Sequence, residues 1–472
     1  MKLFRRSLSA AVVLLCAGCM VGPNYRKPPV PMTPAYKEDA GWKIAEPKDQ
    51  LPRGKWWEIF GDPQLNMLEE QVNQANQNLK VAEARFRQAR ALTNFFRASL
   101  FPTVSAGISA NSLRKSTNSS SGGNGASTRD FLLSGDVSYE LDLWGRIRRS
   151  IASARNEAQA TAADLETARL SLQAELALDY FELRSADAQQ RLLDDTVKAF
   201  QEALQFTTNR FEGGAAPLSD VAQARTQLET TQVQATDIAV QRAQFEHAIA
   251  TLIGKPPAVF SLPSAPLDLA PPNVPVGVPS ELLERRPDIA AAERRVAEAN
   301  EQIGIAKAAF FPTVTLDALL GFESSSLHNW IGWPSFLWAV GSTLAQTIFD
   351  AGRRRATSDA AVAAYDGTVA AYRQATLDAF QQVEDNLAAL RILERETEQQ
   401  ERAVVSAKES LTLFTNRYKG GVDTYLQVIT AQTVTLTNQR NQVDILRRRM
   451  DASVLLVKAL GGGWNVRDLP QL

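Results

Sequence analysis

Three short segments of this 472-residue chain occur twice, in the same order and 207 to 210 residues apart. Such an offset is far longer than the period of a solenoid, so it indicates a duplicated unit of about 200 residues. The chain must therefore fold into two similar halves. The paired segments are Phe101-Pro102-Thr103-Val104 with Phe311-Pro312-Thr313-Val314, Asp142-Leu143-Trp144-Gly145-Arg146 with Phe349-Asp350-Ala351-Gly352-Arg353, and Asn209-Arg210-Phe211-Glu212-Gly213-Gly214 with Asn416-Arg417-Tyr418-Lys419-Gly420-Gly421.

Each copy contains two segments, after its Phe-Pro pair, in which apolar and polar residues alternate. The clearest has Phe131, Leu133, Val137 and Tyr139 on one face and Ser134, Asp136, Ser138 and Glu140 on the other. A period of two predicts β-strands, and about ten residues suffice for a tilted strand to cross a bilayer. We expect strands at about 101–112, 130–143, 311–323 and 335–348.

The rest of each copy predicts long helices. Between Gly145 and Phe211 there is no Pro or Gly, and between Arg353 and Tyr418 only one Gly. Each uninterrupted run would span roughly 100 Å at 1.5 Å per residue. Shorter helices are expected at about Leu218–Ile253 and Pro63–Ser99, stacked end to end beside the long one. Both copies together would give four parallel helical rows.

Four strands cannot close a membrane barrel by themselves, because an open edge in lipid leaves backbone groups unpaired. The barrel must therefore be shared between chains. Two chains would give eight strands, with an interior filled by side chains, whereas three would give twelve and a wider lumen. The predicted fold class is mainly α-helical with a transmembrane β-barrel portion that continues into a helical tube.

The first residues have the layout of an export signal, with a basic start and an apolar run that ends at Cys19. The sequence Ala17-Gly18-Cys19 resembles a bacterial lipobox, in which the cysteine becomes the lipidated first residue. We expect N-acyl and S-diacylglycerol lipid on Cys19 and no other cofactor. The alternative is ordinary signal cleavage with Cys19 as a bystander. Met20, rather than Asp, follows the cysteine, which resembles sorting to the outer membrane.

Composition argues against two other classes of protein. Loss of Lys2, Arg5 and Arg6 with the signal takes the formal charge from −1 to −4, so no basic surface remains for nucleic acid. His247 and His328 are the only histidines and have no metal-binding spacing or nucleophile motif beside them. We therefore expect neither an enzyme nor a metal site.

Several further motifs resemble those of the TolC-like outer membrane factors, in the lipoprotein branch related to OprM and NodT. They are Cys19-Met20-Val21-Gly22-Pro23-Asn24-Tyr25, Trp56-Trp57 with Phe60, and Leu283-Glu284-Arg285-Arg286-Pro287-Asp288-Ile289. The resemblance covers nearly the whole mature chain. It implies a homotrimer with a twelve-stranded barrel and a twelve-helix periplasmic tunnel. The implied partners are a periplasmic adaptor protein, an inner-membrane pump of the resistance-nodulation-division type and outer-membrane lipid.

The same resemblance places the periplasmic tip at about 212–218 and 419–425, where an adaptor docks and the channel opens. Glycines there also suit a plain tight turn that needs positive φ, and both interpretations can hold. The positions of a family aspartate gate are Gln427 and Thr430 here, with Asp423 as a possible substitute or a simple helix cap. The expected tip contacts are Gly213, Gly214, Pro217, Leu218, Gly420, Gly421, Val422 and Asp423.

The expected division of the chain is a signal peptide at 1–18, an extended lipidated segment at 19–61, repeats at 62–260 and 279–463, a Pro-rich linker at 261–278 and a tail at 464–472. The predicted function is a passive outer-membrane conduit of a tripartite efflux pump. A periplasmic coiled-coil adaptor or a structural envelope lipoprotein is the alternative, although neither needs the four alternating strands.

Overall fold

The computed structural model describes residues 20–30, 33–38, 55–118, 125–267, 269–274 and 281–471. The expected signal peptide and the lipidated Cys19 lie outside these ranges. The proposed boundaries between segments and repeats stay predictions.

Seven long α-helices account for most of the described residues. They are rich in Ala, Gln, Glu, Arg and Leu, residues that favour helix. Gly145 and Gly352 precede the two 67-residue helices with φ of 81° and 88°, a left-handed conformation that suits glycine. The helices are α1 Pro63–Ala75, α2 Gln77–Ala98, α3 Arg146–Glu212, α4 Leu218–Leu252, α5 Pro287–Ala308, α6 Arg353–Lys419 and α7 Tyr425–Ala459.

One expected helix is wrong in detail, because the predicted helix over Pro63–Ser99 is divided into α1 and α2 at Asn76. Asn76 has an extended backbone, with φ of −60° and ψ of 126°, and its side chain accepts a hydrogen bond from the Leu79 N–H. Asparagine is among the strongest helix N-caps, so it ends one helix and begins the next.

The helices form four rows. α3 packs against α2 and α4 on one side and against α5 and α7 on the other, and α6 packs against α5 and α7. The outer rows, α2 with α4 and α6 alone, therefore each have one side without a neighbouring row in the described chain. None of the described helices is long and apolar enough to cross a membrane.

The four strands form one antiparallel sheet in the order β1-β2-β3-β4. The register pairs Val104 with Val137, Val137 with Ala318, and Ala318 with Val340, so these four side chains share a face. The other face carries Ser138 opposite Asp317, whose carboxylate accepts a 2.8 Å bond from the Ser138 hydroxyl. The strands are β1 Thr103–Arg114, β2 Ser127–Leu141, β3 Thr313–Ser324 and β4 Phe336–Ala345.

The two repeats meet where the sheet joins the helices. Trp144, from the first copy, stacks on Phe311 of the second with 4.7 Å between ring centroids. Its indole N–H donates to the Pro312 carbonyl oxygen at 2.7 Å. This contact gives a packing role to Phe311 and Pro312 before β3 and to Trp144 before α3.

The main hydrophobic core lies midway along the helical rows. A short 3₁₀ helix at Trp56–Phe60 buries both tryptophans in this core, each 1% exposed, and the Phe60 ring lies 5.1 Å from that of Phe181. Burial of such rings contributes about 1.5–3 kcal/mol each or more. The Trp-Trp motif therefore has a packing role in this chain.

Candidate functional site

The two hairpin tips, at α3–α4 and α6–α7, have nearly the same backbone. Gly214 and Gly421 have φ of 73° and 76°, where a side chain is strained. In each tip an N–H after the glycine donates to the carbonyl five residues earlier, from Ala215 to Arg210 at 2.8 Å and from Val422 to Arg417 at 3.0 Å. These bonds are typical of a Schellman motif, which satisfies the last helical carbonyls.

A single arginine ties the two tips together. The Arg210 guanidinium, on α3, donates to the Tyr418 carbonyl oxygen at 2.5 Å and to the Ala215 carbonyl oxygen at 3.3 Å. It also lies 4.7 Å from the centroid of the Tyr418 ring. A cation favours both the negative end of a helix dipole and an aromatic face, so Arg210 holds the end of α6 to the first hairpin.

Tyr418 makes the second link between the hairpins. Its hydroxyl donates to Asp220 Oδ2 on α4 at 3.1 Å. Burial, and next the charge of Asp220, raise the pKa of Tyr418, so the hydroxyl remains protonated and donates at neutral pH. The ring packs in a small core with Ala224, Tyr425 and Val428. We call Arg210, Tyr418 and Asp220 the tip bridge.

The tip bridge has no equivalent in the other direction. Phe211 stands where the second copy has Tyr418, and it has no hydroxyl. Gln427 stands where the first copy has Asp220, and it is exposed. The Tyr418–Asp220 hydrogen bond is therefore asymmetric between the copies, with its acceptor in the first repeat and its donor in the second.

The predicted tip residues lie at the surface of these turns. Leu218 and Val422 are 62% and 68% exposed, and Pro217 is the N-cap of α4. Gly213 and Gly420 end the two long helices. Exposure alone does not identify a partner, so the docking role of these residues stays a prediction.

The possible gate residues have different surroundings. The Asp423 carboxylate accepts a 2.5 Å bond from Arg417 in its own turn, whereas Thr424 is the N-cap of α7. Asp423 is therefore neither a free carboxylate nor the helix cap. Gln427 and Thr430 are exposed on one face of α7, and the Thr430 hydroxyl donates to the Leu426 carbonyl.

Sequence reasoning missed Arg210 and Tyr418 as site residues. The available signal is the repeated Asn-Arg-aromatic triplet, which pairs the two copies but does not reveal what its side chains bind. Among the described residues, no cluster of three or more His, Cys, Asp or Glu side chains could hold a metal ion.

Comparisons with known proteins agree with this architecture. The family model described as outer membrane efflux protein matches residues 68–255 and 278–462. The toluene efflux pump outer membrane protein TtgF of Pseudomonas putida is 33% identical over 477 residues, covering 98% of each chain. The pyoverdine export outer membrane protein OpmQ, also of Pseudomonas putida, is 33% identical over 449 residues, covering 93% of this chain and 94% of OpmQ.

Solved structures give the same result. The outer-membrane channel OprN superimposes with a TM-score of 0.88 at 30% identity, over 94% of this chain and all of that one. The fold class, the outer-membrane location and the role in efflux are thereby confirmed, and the alternative of a periplasmic adaptor or structural lipoprotein is wrong. The chain belongs to the outer membrane efflux protein family.

Proposed function

We propose that three copies of this chain form a passive conduit from the periplasm to the outside. The observation that carries this proposal is that the sheet and the helical rows are open at the same two edges. β1 follows α2, and β4 precedes α6, so each edge strand continues into an outer helical row. Ring closure pairs both edges at once, and unpaired strand edges cannot remain in lipid.

The two faces of the sheet support insertion as a barrel. The face with Val104, Ile108, Trp338 and Val340 has these side chains 70–74% exposed in the single chain. The opposite face carries Ser105, Asp136, Ser138 and Asp317 in register. An apolar face towards lipid and a polar face towards a water-filled lumen are typical of transmembrane barrels.

The number of chains follows from the lumen. Twelve strands leave a wider interior than eight strands, whose interior is filled mostly by side chains. An efflux conduit needs the wider interior. The homotrimer therefore combines twelve strands with twelve helical rows.

The amino-terminal segment supports a lipid on Cys19. The Val21 N–H donates to the Trp144 carbonyl at 3.1 Å, and Met20 packs against Gly145 at the base of the sheet. Further along, Asn300 donates to the Pro23 carbonyl at 3.2 Å. Met20, the residue after the expected lipid attachment site, therefore lies at the base of the sheet, which supports an anchor in the inner leaflet of the outer membrane.

The tip is the proposed docking site for a periplasmic adaptor and, through it, an inner-membrane pump of the resistance-nodulation-division type. Leu218, Val422 and Leu426 are 55–68% exposed at the end of helices that project roughly 100 Å from the sheet. Exposed apolar residues at a distal end favour a protein contact. The chain would perform no chemistry on its cargo, and its cargo would be set by the pump.

The docking proposal predicts that Leu218→Asp with Val422→Asp abolishes drug resistance in a deletion strain without reducing the amount of assembled channel. An aspartate at either position removes an apolar side chain that the adaptor would bury, which weakens binding by about 1.5–3 kcal/mol per side chain. The matched control is Leu413→Asp, which is 56% exposed on α6 before the turn. Site-specific cross-linking from position 422 to the adaptor should disappear in the double variant. Full resistance with unchanged cross-linking would refute docking at these residues.

A further inference from the structure

In each repeat a helix rising from the tip ends where a helix leading to the sheet begins. α4 ends at Leu252 beside the start of α2 at Gln77, and α7 ends at Ala459 beside the start of α5 at Pro287. The last carbonyls of one helix thus face the first N–H groups of the next. Both sets need partners, since neither has one within its own helix.

Asn76 supplies the first junction. It is 3% exposed, its Nδ2 donates to the Leu252 carbonyl oxygen at 2.8 Å, and its Oδ1 accepts from the Leu79 N–H at 3.0 Å. One amide therefore caps the end of α4 and the start of α2. Gly254, with φ of 70°, lets the chain turn away, because a Cβ there would lie 2.6 Å from the Ala75 carbonyl oxygen.

Arg286 supplies the second junction by different chemistry. It is 6% exposed, and its Nη1 donates to the Ala459 carbonyl oxygen at 3.0 Å and to Gln382 Oε1 on α6 at 2.9 Å. Its Nε and Nη2 donate to the two Asp288 carboxylate oxygens at 3.0 and 2.6 Å. A fork of donors thus reaches α7, α6 and the first turn of α5 together.

The two junctions occupy equivalent places in the duplication. Leu252 and Ala459 are 207 residues apart, as are Gly254 and Gly461. Gly461 has φ of 91°, and a Cβ there would collide with the Arg285 carbonyl oxygen. The second junction differs in reaching a third helix. This geometry accounts for the Arg-Arg-Pro-Asp segment, in which Pro287 begins α5 and Asp288 orients the guanidinium.

We propose that Arg286 is a positioning residue that fixes the axial position of α7 and thereby keeps the distant tip closed. The inference rests on the expectation, from the family resemblance, that this conduit opens at its periplasmic tip. α7 runs as one 35-residue helix from the tip to this junction, so a shift at its upper end moves its lower end as well. Asn76, in the equivalent junction, fixes the axial position of α4 within the first repeat.

The test is spontaneous opening of the purified oligomer in planar lipid bilayers. Arg286→Lys keeps the charge, but one ammonium cannot reach Ala459, Gln382 and Asp288 together. We expect Arg286→Lys and Arg286→Gln to raise the open probability about tenfold, equivalent to roughly 1.4 kcal/mol. Arg285→Lys is the matched control, because Arg285 pairs with Glu281 at the surface and should behave as wild type.

Two further variants keep the inference falsifiable. Gln382→Ala removes only the link to α6, so it should give a smaller increase in open probability. It is the variant to measure if the Arg286 variants fail to assemble. Tyr418→Phe serves as the positive control for the gate. A closed Arg286→Lys channel, or an unchanged Gln382→Ala channel, would overturn the positioning role. If Tyr418→Phe opens no more often than wild type, the assumption that the channel opens at the tip is wrong.

Discussion

Tyr418 is the residue on which the contact between the two hairpin tips most depends, because its hydroxyl binds Asp220 while its ring and its carbonyl both contact Arg210. Removing the hydroxyl in Tyr418→Phe keeps the ring packing and the Arg210 contact but leaves Asp220 without its donor. We expect a loss of about 1 kcal/mol in closed-state stability and more frequent openings in planar bilayers. Phe211→Tyr, which adds a hydroxyl at the equivalent first-repeat position, should leave the openings unchanged. An equal frequency of openings in Tyr418→Phe and wild type would refute the tip bridge.

Asp451 belongs to a crowded ionic group in which Arg447 connects α7 to Glu182 on α3. Arg447 binds Glu182, Asp444 and Asp451 at 2.5–2.8 Å, and the second Asp451 oxygen is buried without a partner among the described residues. Burial raises the pKa of Asp451 to about 7, with nearby Glu182 and Asp444 adding to the effect and Arg447 opposing it. The carboxyl is therefore half protonated near neutral pH.

A folded-state pKa raised from 3.8 to about 7 gives stability that is present at low pH and is lost as the pH rises through that interval. We expect the unfolding temperature to fall between about pH 5 and pH 7, within the same interval. Asp451→Asn should reduce that fall by about 2 °C, the effect of roughly 1 kcal/mol in a large domain. Asp385→Asn, on the exposed side of α6, is the control. Identical pH profiles for Asp451→Asn and wild type would contradict this assignment.

Among the elements, the strands have two chemically distinct faces, and a matched pair of substitutions separates them. Val340→Lys puts a charge on the apolar face, where the cost at the bilayer midplane is about 2–4 kcal/mol. Thr343→Lys puts the same charge on the polar face, opposite Thr315. We expect the first variant to be depleted from the outer membrane and the second to insert normally, as measured by membrane fractionation. Equal insertion would mean that the faces are wrongly assigned.

The sequence predicted the strands and long helices well because their signals are local. Alternation around Ser134–Tyr139 and the absence of Gly and Pro within α3 leave few other local structures. Asn76 escaped notice because a helix N-cap inside a helical pattern looks like an ordinary polar residue. The contacts of Arg210 and Arg286 depend on packing between segments about 200 residues apart, which no local pattern reports.

For the whole molecule, the open edges of the sheet and of the helical rows both indicate a ring of three chains. The outer rows α2 and α6 continue from the edge strands β1 and β4, so a neighbouring chain would cover both together. Native mass spectrometry of the protein extracted from the outer membrane tests this claim directly. We expect a mass of three lipidated chains, and the mass of a monomer or of an eight-stranded dimer would contradict threefold closure.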